Sequence, residues 1–183
     1  MRVIAGRAKG RRLVGPKRGA PIRPVLDQVK EAIFNILYDV TDFEILDCFA
    51  GTGALGIEAL SRGAAHATFI DAAPQAIALI MDNLDRCHYT EYATIVRAPA
   101  ARGLQQLARQ EQTFDVIFID PPYEKHLVSP TLQLTADLGL LRPRGRIIIE
   151  HHPKEPPQPP AAFRVVDERK YGQTRISFIG RPL

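Results

Sequence analysis

The most specific chemical signal in this 183-residue sequence is a run of four residues, Asp120, Pro121, Pro122 and Tyr123. The two prolines fix the backbone and lack N–H donors, which leaves the Asp120 carboxylate and the Pro121 carbonyl as acceptors. A nucleobase amine carries two N–H groups, one for each acceptor, while Tyr123 can stack on the base. Such an amine is a poor nucleophile because its lone pair is delocalised, and holding both hydrogens orients that lone pair for attack. The run predicts group transfer to an exocyclic amine, with Asp120 able to accept the released proton.

A glycine-rich segment carries the second signal. Gly51, Gly53 and Gly56 follow the pattern G-x-G-x-x-G between a predicted strand and a predicted helix, the context in which the pattern indicates a nucleotide-type ligand. Asp71 ends the next predicted strand, where a carboxylate can accept hydrogen bonds from ribose hydroxyls. These features predict an adenosine-type cofactor, either NAD or S-adenosylmethionine. Asp47 favours S-adenosylmethionine, because a carboxylate before the loop would attract its cationic amino-acid end, directly or through water, and would repel a pyrophosphate. The alternative is a structural turn whose glycines serve packing.

Both signals need a parallel sheet to bring them together. Near-continuous apolar strands alternate with helical patterns from residue 45 onward, which is typical of a parallel sheet covered on both faces. Five strands are predicted at 45–49, 67–71, 93–96, 114–119 and 146–150, and a terminal antiparallel hairpin at 163–166 and 175–179. Helical patterns begin at Asp27, the predicted N-cap, extend from the glycine loop to about residue 62, and cover 73–86, 104–108 and 132–141.

Positive charge is concentrated near the start of the sequence. Residues 1–23 contain eight Lys and Arg and no acidic residue, whereas the remainder contains 16 basic and all 20 acidic residues. A basic segment on a mildly acidic body suggests contact with a polyanion, and the alternative is a solvated, partly mobile terminus. Short apolar runs at 3–5 and 12–14 predict a small hairpin in this segment. The predicted RNA contacts are Arg2, Arg7, Lys9, Arg11, Arg12 and Arg23.

The motifs occur in an order that resembles a known family. The segments are LDCFAGTGALGIEALSRGA, then FID, then FIDPPY, and together they look like the class I S-adenosylmethionine-dependent methyltransferases. Within that class the chain closely resembles the bacterial RsmD family of 16S rRNA guanine-N2 methyltransferases, because it also contains MRVIAGRAKGRRL, RPVLDQVKEAIFNIL and KYGQTRISF. The resemblance implies a Rossmann-like α/β fold with a seven-stranded, mostly parallel sheet whose last strand is antiparallel. It also implies S-adenosylmethionine as methyl donor and guanine N2 in small-subunit rRNA as acceptor.

The resemblance assigns roles to single residues. The implied catalytic residues are Asp120, Pro121, Pro122 and Tyr123, and the implied cofactor-binding residues are Asp47, Phe49, Ala50, Gly51, Thr52, Gly53, Asp71 and Ala100. The ribose-binding acid of the family is usually Glu with Asp two residues later; this chain has Asp71 and Ala73, so the reach to the ribose is one methylene shorter. An acid or Asn after the third strand commonly contacts adenine, but residues 97–100 read Arg-Ala-Pro-Ala. We therefore expect adenine to contact the Ala100 amide or apolar side chains.

The expected organisation is a basic, RNA-facing extension at residues 1–40, with a hairpin and a helix, followed by a methyltransferase domain at 41–183. Lys30 is interpreted as an exposed residue of that helix, and His151 and His152 as surface residues, since no partner has metal-ligand spacing. Two cysteines cannot form a disulfide framework or a four-thiolate zinc site, and no apolar run approaches the ~18–20 residues of a membrane helix. We expect a cytoplasmic monomer that binds no metal and no membrane. Its expected partner is 16S rRNA, naked or in an assembling small ribosomal subunit.

Three other functions fit parts of the sequence. Adenine also offers an exocyclic amine, so a DNA adenine-N6 methyltransferase would use the same motif, although 183 residues leave no obvious separate base-reading domain. A nicotinamide-dependent oxidoreductase would use the glycine loop but would leave residues 120–123 unexplained. A non-enzymatic RNA-binding module would use the basic segment and would not need Asp120.

Overall fold

The computed structural model describes residues 1–16, 26–123 and 125–182. Within these ranges the chain forms a seven-stranded sheet with five α-helices packed against it. The strands are β1 (Glu44–Cys48), β2 (His66–Asp71), β3 (Ala93–Arg97), β4 (Phe114–Ile119), β5 (Leu141–His151), β6 (Arg164–Tyr171) and β7 (Thr174–Gly180). The helices are α1 (Asp27–Leu37), α2 (Ala54–Ser61), α3 (Pro74–Cys87), α4 (Ala100–Arg109) and α5 (Val128–Asp137). No helix in these three ranges is both long and apolar enough to cross a membrane.

The strand order in the sheet is β3-β2-β1-β4-β5-β7-β6. Strands β1 to β5 pair in parallel, whereas β7 is antiparallel to both of its neighbours, β5 and β6. This arrangement confirms the Rossmann-like, mostly parallel sheet predicted from the sequence, including its antiparallel last strand. The chain order reverses between β1 and β4, and such a reversal opens a crevice at the carboxyl ends of the strands.

Alternate side chains of the strands enter two separate cores, one on each face of the sheet. On β4, Val116 and Phe118 join α1, α2 and α3 in one core, whereas Ile117 and Ile119 join α4 and α5 in the other. Because both faces are covered, the central strands consist almost entirely of apolar residues. The packed layer fixes the positions of the loops that follow β1 and β4.

The segment between β4 and β5 differs from the prediction. The helix predicted at 132–141 is α5, which covers Val128–Asp137 instead. Gly139 then takes a φ of +65°, and its N–H donates to the Ala136 carbonyl, which closes the helix before β5 begins at Leu141. Strand β5 is longer than the predicted 146–150, because a register irregularity after Phe114 lets it pair with β4 from its first residue.

The N-terminal segment is less regular than the predicted hairpin. Arg2 and Arg12 form a single antiparallel bridge rather than two strands, because side chains of α2 accept the backbone N–H groups of residues 4, 5 and 8. The prediction that Asp27 is the N-cap of α1 is also wrong. Asp27 is the first helical residue, and Leu26 occupies the cap position without a side-chain hydrogen bond.

Candidate active site

The loops that follow β1 and β4 meet at the carboxyl edge of the sheet. Cys48 pairs with Ile119 at the ends of these strands, and the Asp120 N–H donates to the Cys48 carbonyl at 3.4 Å. A cleft of about 1170 Å³ opens beside the two loops. Pockets for a single small molecule usually measure ~300–1,000 Å³, so this cleft is large enough for a cofactor and part of a second ligand.

Nearly all of the predicted catalytic and cofactor-binding residues line this cleft. They are Asp47, Phe49, Ala50, Gly51, Thr52, Asp71, Ala100, Asp120, Pro121, Pro122 and Tyr123. Gly53 is the exception. A further wall comes from α5 and the loop before it, including Lys125, Thr131 and Asp137. Sequence reasoning missed this wall because α5 carries no recognisable motif. The structure thus places the predicted residues together, while their roles in binding and catalysis stay predictions.

The glycines of the loop serve different purposes. Gly51 has a φ of +56° and borders the cleft. Gly53 has a φ of +75°, and a Cβ atom there would lie 3.3 Å from side-chain carbons of Ile80 and Phe69. A Cβ atom at Gly56 would lie 2.3 Å from the Phe69 ring. Gly53 and Gly56 therefore allow α2 to pack closely against the sheet, and Gly51 brings the backbone to the cleft.

Asp71 connects the two backbone segments beside the cleft. One of its carboxylate oxygens accepts the Gly51 N–H and the other accepts the Ala73 N–H, both at 2.9 Å. A carboxylate can accept about four hydrogen bonds, so these two leave capacity toward the cleft. The Asp71 carboxylate therefore fixes the glycine loop from the neighbouring strand.

Asp47 is buried at the base of the glycine loop. Its side chain accepts the Gly56 N–H at 3.0 Å, and the residue is only 2% exposed. Burial raises the pKa of the carboxyl to about 7; the Gly56 hydrogen bond opposes this effect and the charge of Asp71 adds to it. A cationic group bound beside Asp47 would therefore favour its ionised form.

The ring of Tyr123 is held at its hydroxyl end. The hydroxyl donates to Glu150 Oε1 at 3.3 Å and lies 3.1 Å from Thr174 Oγ1. The His152 ring packs against it with its centroid 5.7 Å away and an interplanar angle of 60°. No sequence pattern indicated Glu150 or Thr174, because their proximity to Tyr123 depends on the pairing of β5 with β7.

Comparisons with known proteins agree on one family. A family model described as conserved hypothetical protein 95 matches residues 1–180. Ribosomal RNA small subunit methyltransferase D of Escherichia coli strain K12 is 35% identical over 175 residues, which cover 94% of this chain and 86% of that protein. This chain belongs to the RsmD family. YlbH of Bacillus subtilis is 40% identical over 180 residues, or 97% of each chain. The solved structure of yhhF from Escherichia coli has a TM-score of 0.88 and 32% identity, and the match covers 100% of this chain and 98% of that one.

In this RsmD-family chain the N-terminal segment contacts the glycine loop. Asn83 of α3 is fully buried, and its amide donates to the carbonyls of Val14 and Thr52, both at 3.0 Å. The same amide accepts the Val14 N–H at 2.6 Å. The Thr52 hydroxyl also donates to the Met1 sulfur at 3.5 Å. Two positions of the basic segment therefore support one residue of the loop.

Glu58 fastens the basic segment to α2. Its carboxylate is fully buried and accepts the backbone N–H groups of Ile4 and Ala5 at 2.8 and 3.0 Å. The Lys30 ammonium lies 3.4 Å from Glu58 Oε2 and donates to the Arg2 carbonyl. Burial lowers the pKa of Lys30, and the charge of Glu58 opposes this shift. The first residues of the chain are thus held by a buried charge pair.

Two side chains that we predicted to be exposed are buried. Lys30 is 0% exposed, because the basic segment folds over it and supplies the Arg2 carbonyl. His151 is 1% exposed, and its Nε2 lies 2.9 Å from Ser177 Oγ on β7. Both predictions are wrong for the same reason, since the covering element comes from a distant part of the chain.

The predicted RNA contacts lie on the outside of the basic segment. The side chains of Arg2, Arg7, Lys9, Arg11 and Arg12 are exposed, and that of Arg11 also donates to the Arg86 carbonyl at the end of α3. Arg23 lies outside the described residues. The apolar residues Val3, Ala8 and Leu13 belong to the core formed by α1, α2 and α3. The domain boundary at residue 40 stays a prediction.

Proposed function

We propose that this chain is an S-adenosylmethionine-dependent methyltransferase that modifies the exocyclic N2 amine of a guanine in 16S rRNA. The observation that carries the proposal is the shared cleft, which is bordered by the glycine loop, by Asp71 and by residues 120–123. One border has the features of an adenosine-type cofactor site, and the other has acceptors for a planar amine. The relatives from Escherichia coli and Haemophilus influenzae are named as small-subunit rRNA methyltransferases, which supports this choice of acceptor.

The residues present fit S-adenosylmethionine. The carboxylates of Asp47 and Asp71 suit a cationic ligand with ribose hydroxyls, and a charge on Asp47 would repel the pyrophosphate of a nicotinamide cofactor. Ala100 begins α4, where the first N–H groups have no partners within the helix, so its amide can donate to adenine. Phe49 and Ala50 add apolar contact. When bound, the cofactor supplies an electrophilic methyl group.

On the other border, residues 120–123 bind and orient the amine. The Asp120 carboxylate and the Pro121 carbonyl each accept one N2 hydrogen, and Tyr123 stacks on the guanine ring. Because both hydrogens are held, the nitrogen lone pair is directed at the methyl group, and the gain comes from orientation and electrostatics. Asp120 then accepts the proton that the amine loses once the methyl group has passed from the cofactor sulfur to N2, with the carbon–sulfur bond broken as the N–C bond forms.

We assign the basic segment to binding the acceptor, which is a large and negatively charged RNA. Arg2, Arg7, Lys9, Arg11, Arg12 and Arg23 contact RNA phosphates in this proposal, and the target base leaves its stack to reach Tyr123. The loop and the catalytic run come from one chain, so the reaction needs no second copy.

The test is transfer of labelled methyl from S-adenosylmethionine to small-subunit rRNA and to assembled subunits that lack the modification, followed by nucleoside analysis. We expect N2-methylguanosine, and the better of the two substrates identifies the assembly stage. Label in N6-methyladenine of duplex DNA, with none in rRNA, would replace this proposal with the DNA alternative.

Asp120→Ala separates catalysis from RNA binding. We expect its kcat to fall about a hundredfold or more, because the amine loses an acceptor and a base, while affinity for S-adenosylmethionine is retained. Asp85→Ala, an exposed position on α3, is the matched control and should leave kcat unchanged. Full activity of Asp120→Ala would contradict the proposed mechanism.

A further inference from the structure

The two prolines before Tyr123 fix the backbone but leave the direction of its ring open. Proline restricts its own φ, whereas the ring of Tyr123 is directed by its own side-chain torsions. A ring that must stack on an incoming base works best when it is already oriented, because ordering it during binding costs conformational entropy. The contacts of its hydroxyl therefore bear directly on catalysis.

We propose that Glu150 and Thr174 are positioning residues that hold the Tyr123 ring in the orientation that receives the target base. This inference rests on the proposed function of the cleft. A phenol hydroxyl has one proton to donate and can also accept. Donation to Glu150 and acceptance from Thr174, at 3.3 and 3.1 Å, satisfy both capacities. Neither residue borders the cleft itself, so they act through Tyr123.

The strand pairing explains why these two side chains form a firm support. His151 on β5 pairs with Arg175 on β7, and the two strands are antiparallel. Glu150 directly precedes His151, and Thr174 directly precedes Arg175. Glu150 and Thr174 are therefore diagonal neighbours across the two strands. Side chains alternate along a strand, and Glu150 pairs with Ile176 on β7, which places Glu150 and Thr174 on one face. Glu150 is 8% exposed, and the His152 ring packs against the ring of Tyr123. Two side chains of the sheet and the ring of His152, which directly follows β5, thus contact Tyr123.

The sheet in question includes the C-terminal hairpin of β6 and β7, which is otherwise remote from the glycine loop. Thr174 begins β7 and pairs with Tyr171 at the end of β6. The hairpin turn therefore ends next to the proposed catalytic run. Its contribution is orientation of the acceptor base, and we expect no contribution to cofactor binding.

The test compares Thr174→Val, Glu150→Gln, Tyr123→Phe and the double variant Tyr123→Phe/Thr174→Val. Thr174→Val removes one hydrogen bond and Glu150→Gln weakens one, so kcat for methyl transfer should fall about three- to tenfold in each. Tyr123→Phe removes both hydrogen bonds of the hydroxyl, and its kcat should fall at least as far. The KM for S-adenosylmethionine should stay within about twofold. The double variant should be no slower than Tyr123→Phe, because both changes act through one hydroxyl. Thr94→Val, on the opposite edge strand β3, is the matched control and should leave kcat unchanged.

A second measurement does not depend on the identity of the substrate. In protein labelled with 3-fluorotyrosine, the fluorine resonance of Tyr123 can be assigned as the one missing in Tyr123→Phe. Thr174→Val should shift it toward the value of an exposed tyrosine, whereas Thr94→Val should not. An unmoved resonance, additive losses in the double variant, or an equal rise in the KM for S-adenosylmethionine would each overturn the inference. Absence of methyl transfer to rRNA by the wild type, with the resonance shift present, would overturn the proposed function alone.

Discussion

The two borders of the cleft are held in place by different kinds of contact. After their roles in the proposed function, we call them the cofactor wall (Asp47, residues 49–52 and Asp71) and the acceptor wall (residues 120–123). The cofactor wall is fixed largely through its backbone, because the Gly51 N–H donates to Asp71 at the end of the neighbouring strand and the Thr52 carbonyl accepts from the buried amide of Asn83 on α3. The acceptor wall is fixed by two prolines and by side-chain contacts at the hydroxyl of Tyr123.

In the proposed function, cofactor binding and catalysis therefore have separate structural supports. The N-terminal segment reaches the cofactor wall through Asn83 and Met1. The C-terminal hairpin reaches the acceptor wall through Thr174. Substitutions near the first support should therefore change stability and affinity, and substitutions near the second should change kcat.

The largest effect, on the free energy of unfolding, should come from Glu58→Ala. This change removes the carboxylate that accepts the backbone N–H groups of Ile4 and Ala5 in the basic segment. Lys30 would then be buried with its main partner missing, and breaking a buried charge pair in this way costs about 3–5 kcal/mol. We expect urea denaturation to show a loss of this size in the free energy of unfolding. Glu31→Ala, an exposed neighbour on α1, should change it by no more than about 0.5 kcal/mol. A loss below about 1 kcal/mol for Glu58→Ala would show that the segment is not held by this pair.

The same network shows what sequence could and could not predict. The alternation of apolar strands with helical patterns predicted the order and type of nearly every element of the sheet. The glycine loop and residues 120–123 were found because each motif is local, and their meeting followed from the rule that carboxyl ends of adjacent parallel strands share one edge. Local patterns were therefore enough to predict the cofactor wall and the acceptor wall, but not the further wall that α5 and the loop before it contribute.

The supports behind the walls could not be predicted in the same way. Glu58 bonds to residues more than fifty positions earlier, and Tyr123 to a residue 51 positions later. Lys30 and His151 carry polar groups that are normally exposed, and they are buried here because distant backbone and side-chain groups supply their partners. These contacts depend on tertiary packing, and one sequence gives no pattern for them.

A change of pH should have an intermediate effect on the affinity for S-adenosylmethionine, and this measurement tests the cofactor wall alone. The pKa of Asp47 is raised to about 7 by burial, and a bound cation requires its ionised form. Protons then compete with S-adenosylmethionine, so affinity should fall about tenfold from pH 8 to pH 6. Isothermal titration of Asp47→Asn should show weaker binding at pH 8 and little dependence on pH. Identical pH profiles for the variant and the wild type would show that another group is responsible.

The smallest effect should come from single cations of the basic segment, which lie farther from the chemistry than either wall. Each phosphate contact that is lost should reduce the slope of log affinity against log salt by roughly 0.7–0.9. We expect this change, with RNA affinity only a few-fold weaker at moderate salt, for Arg7→Gln and for Lys9→Gln in fluorescence anisotropy titrations. Arg109→Gln, exposed at the end of α4, removes the same charge elsewhere and should keep the wild-type slope. Because the segment is already folded against α2 and α3, both cations should act without any change in the affinity for S-adenosylmethionine. A parallel loss of cofactor affinity would mean that the segment and the cofactor wall respond as one unit.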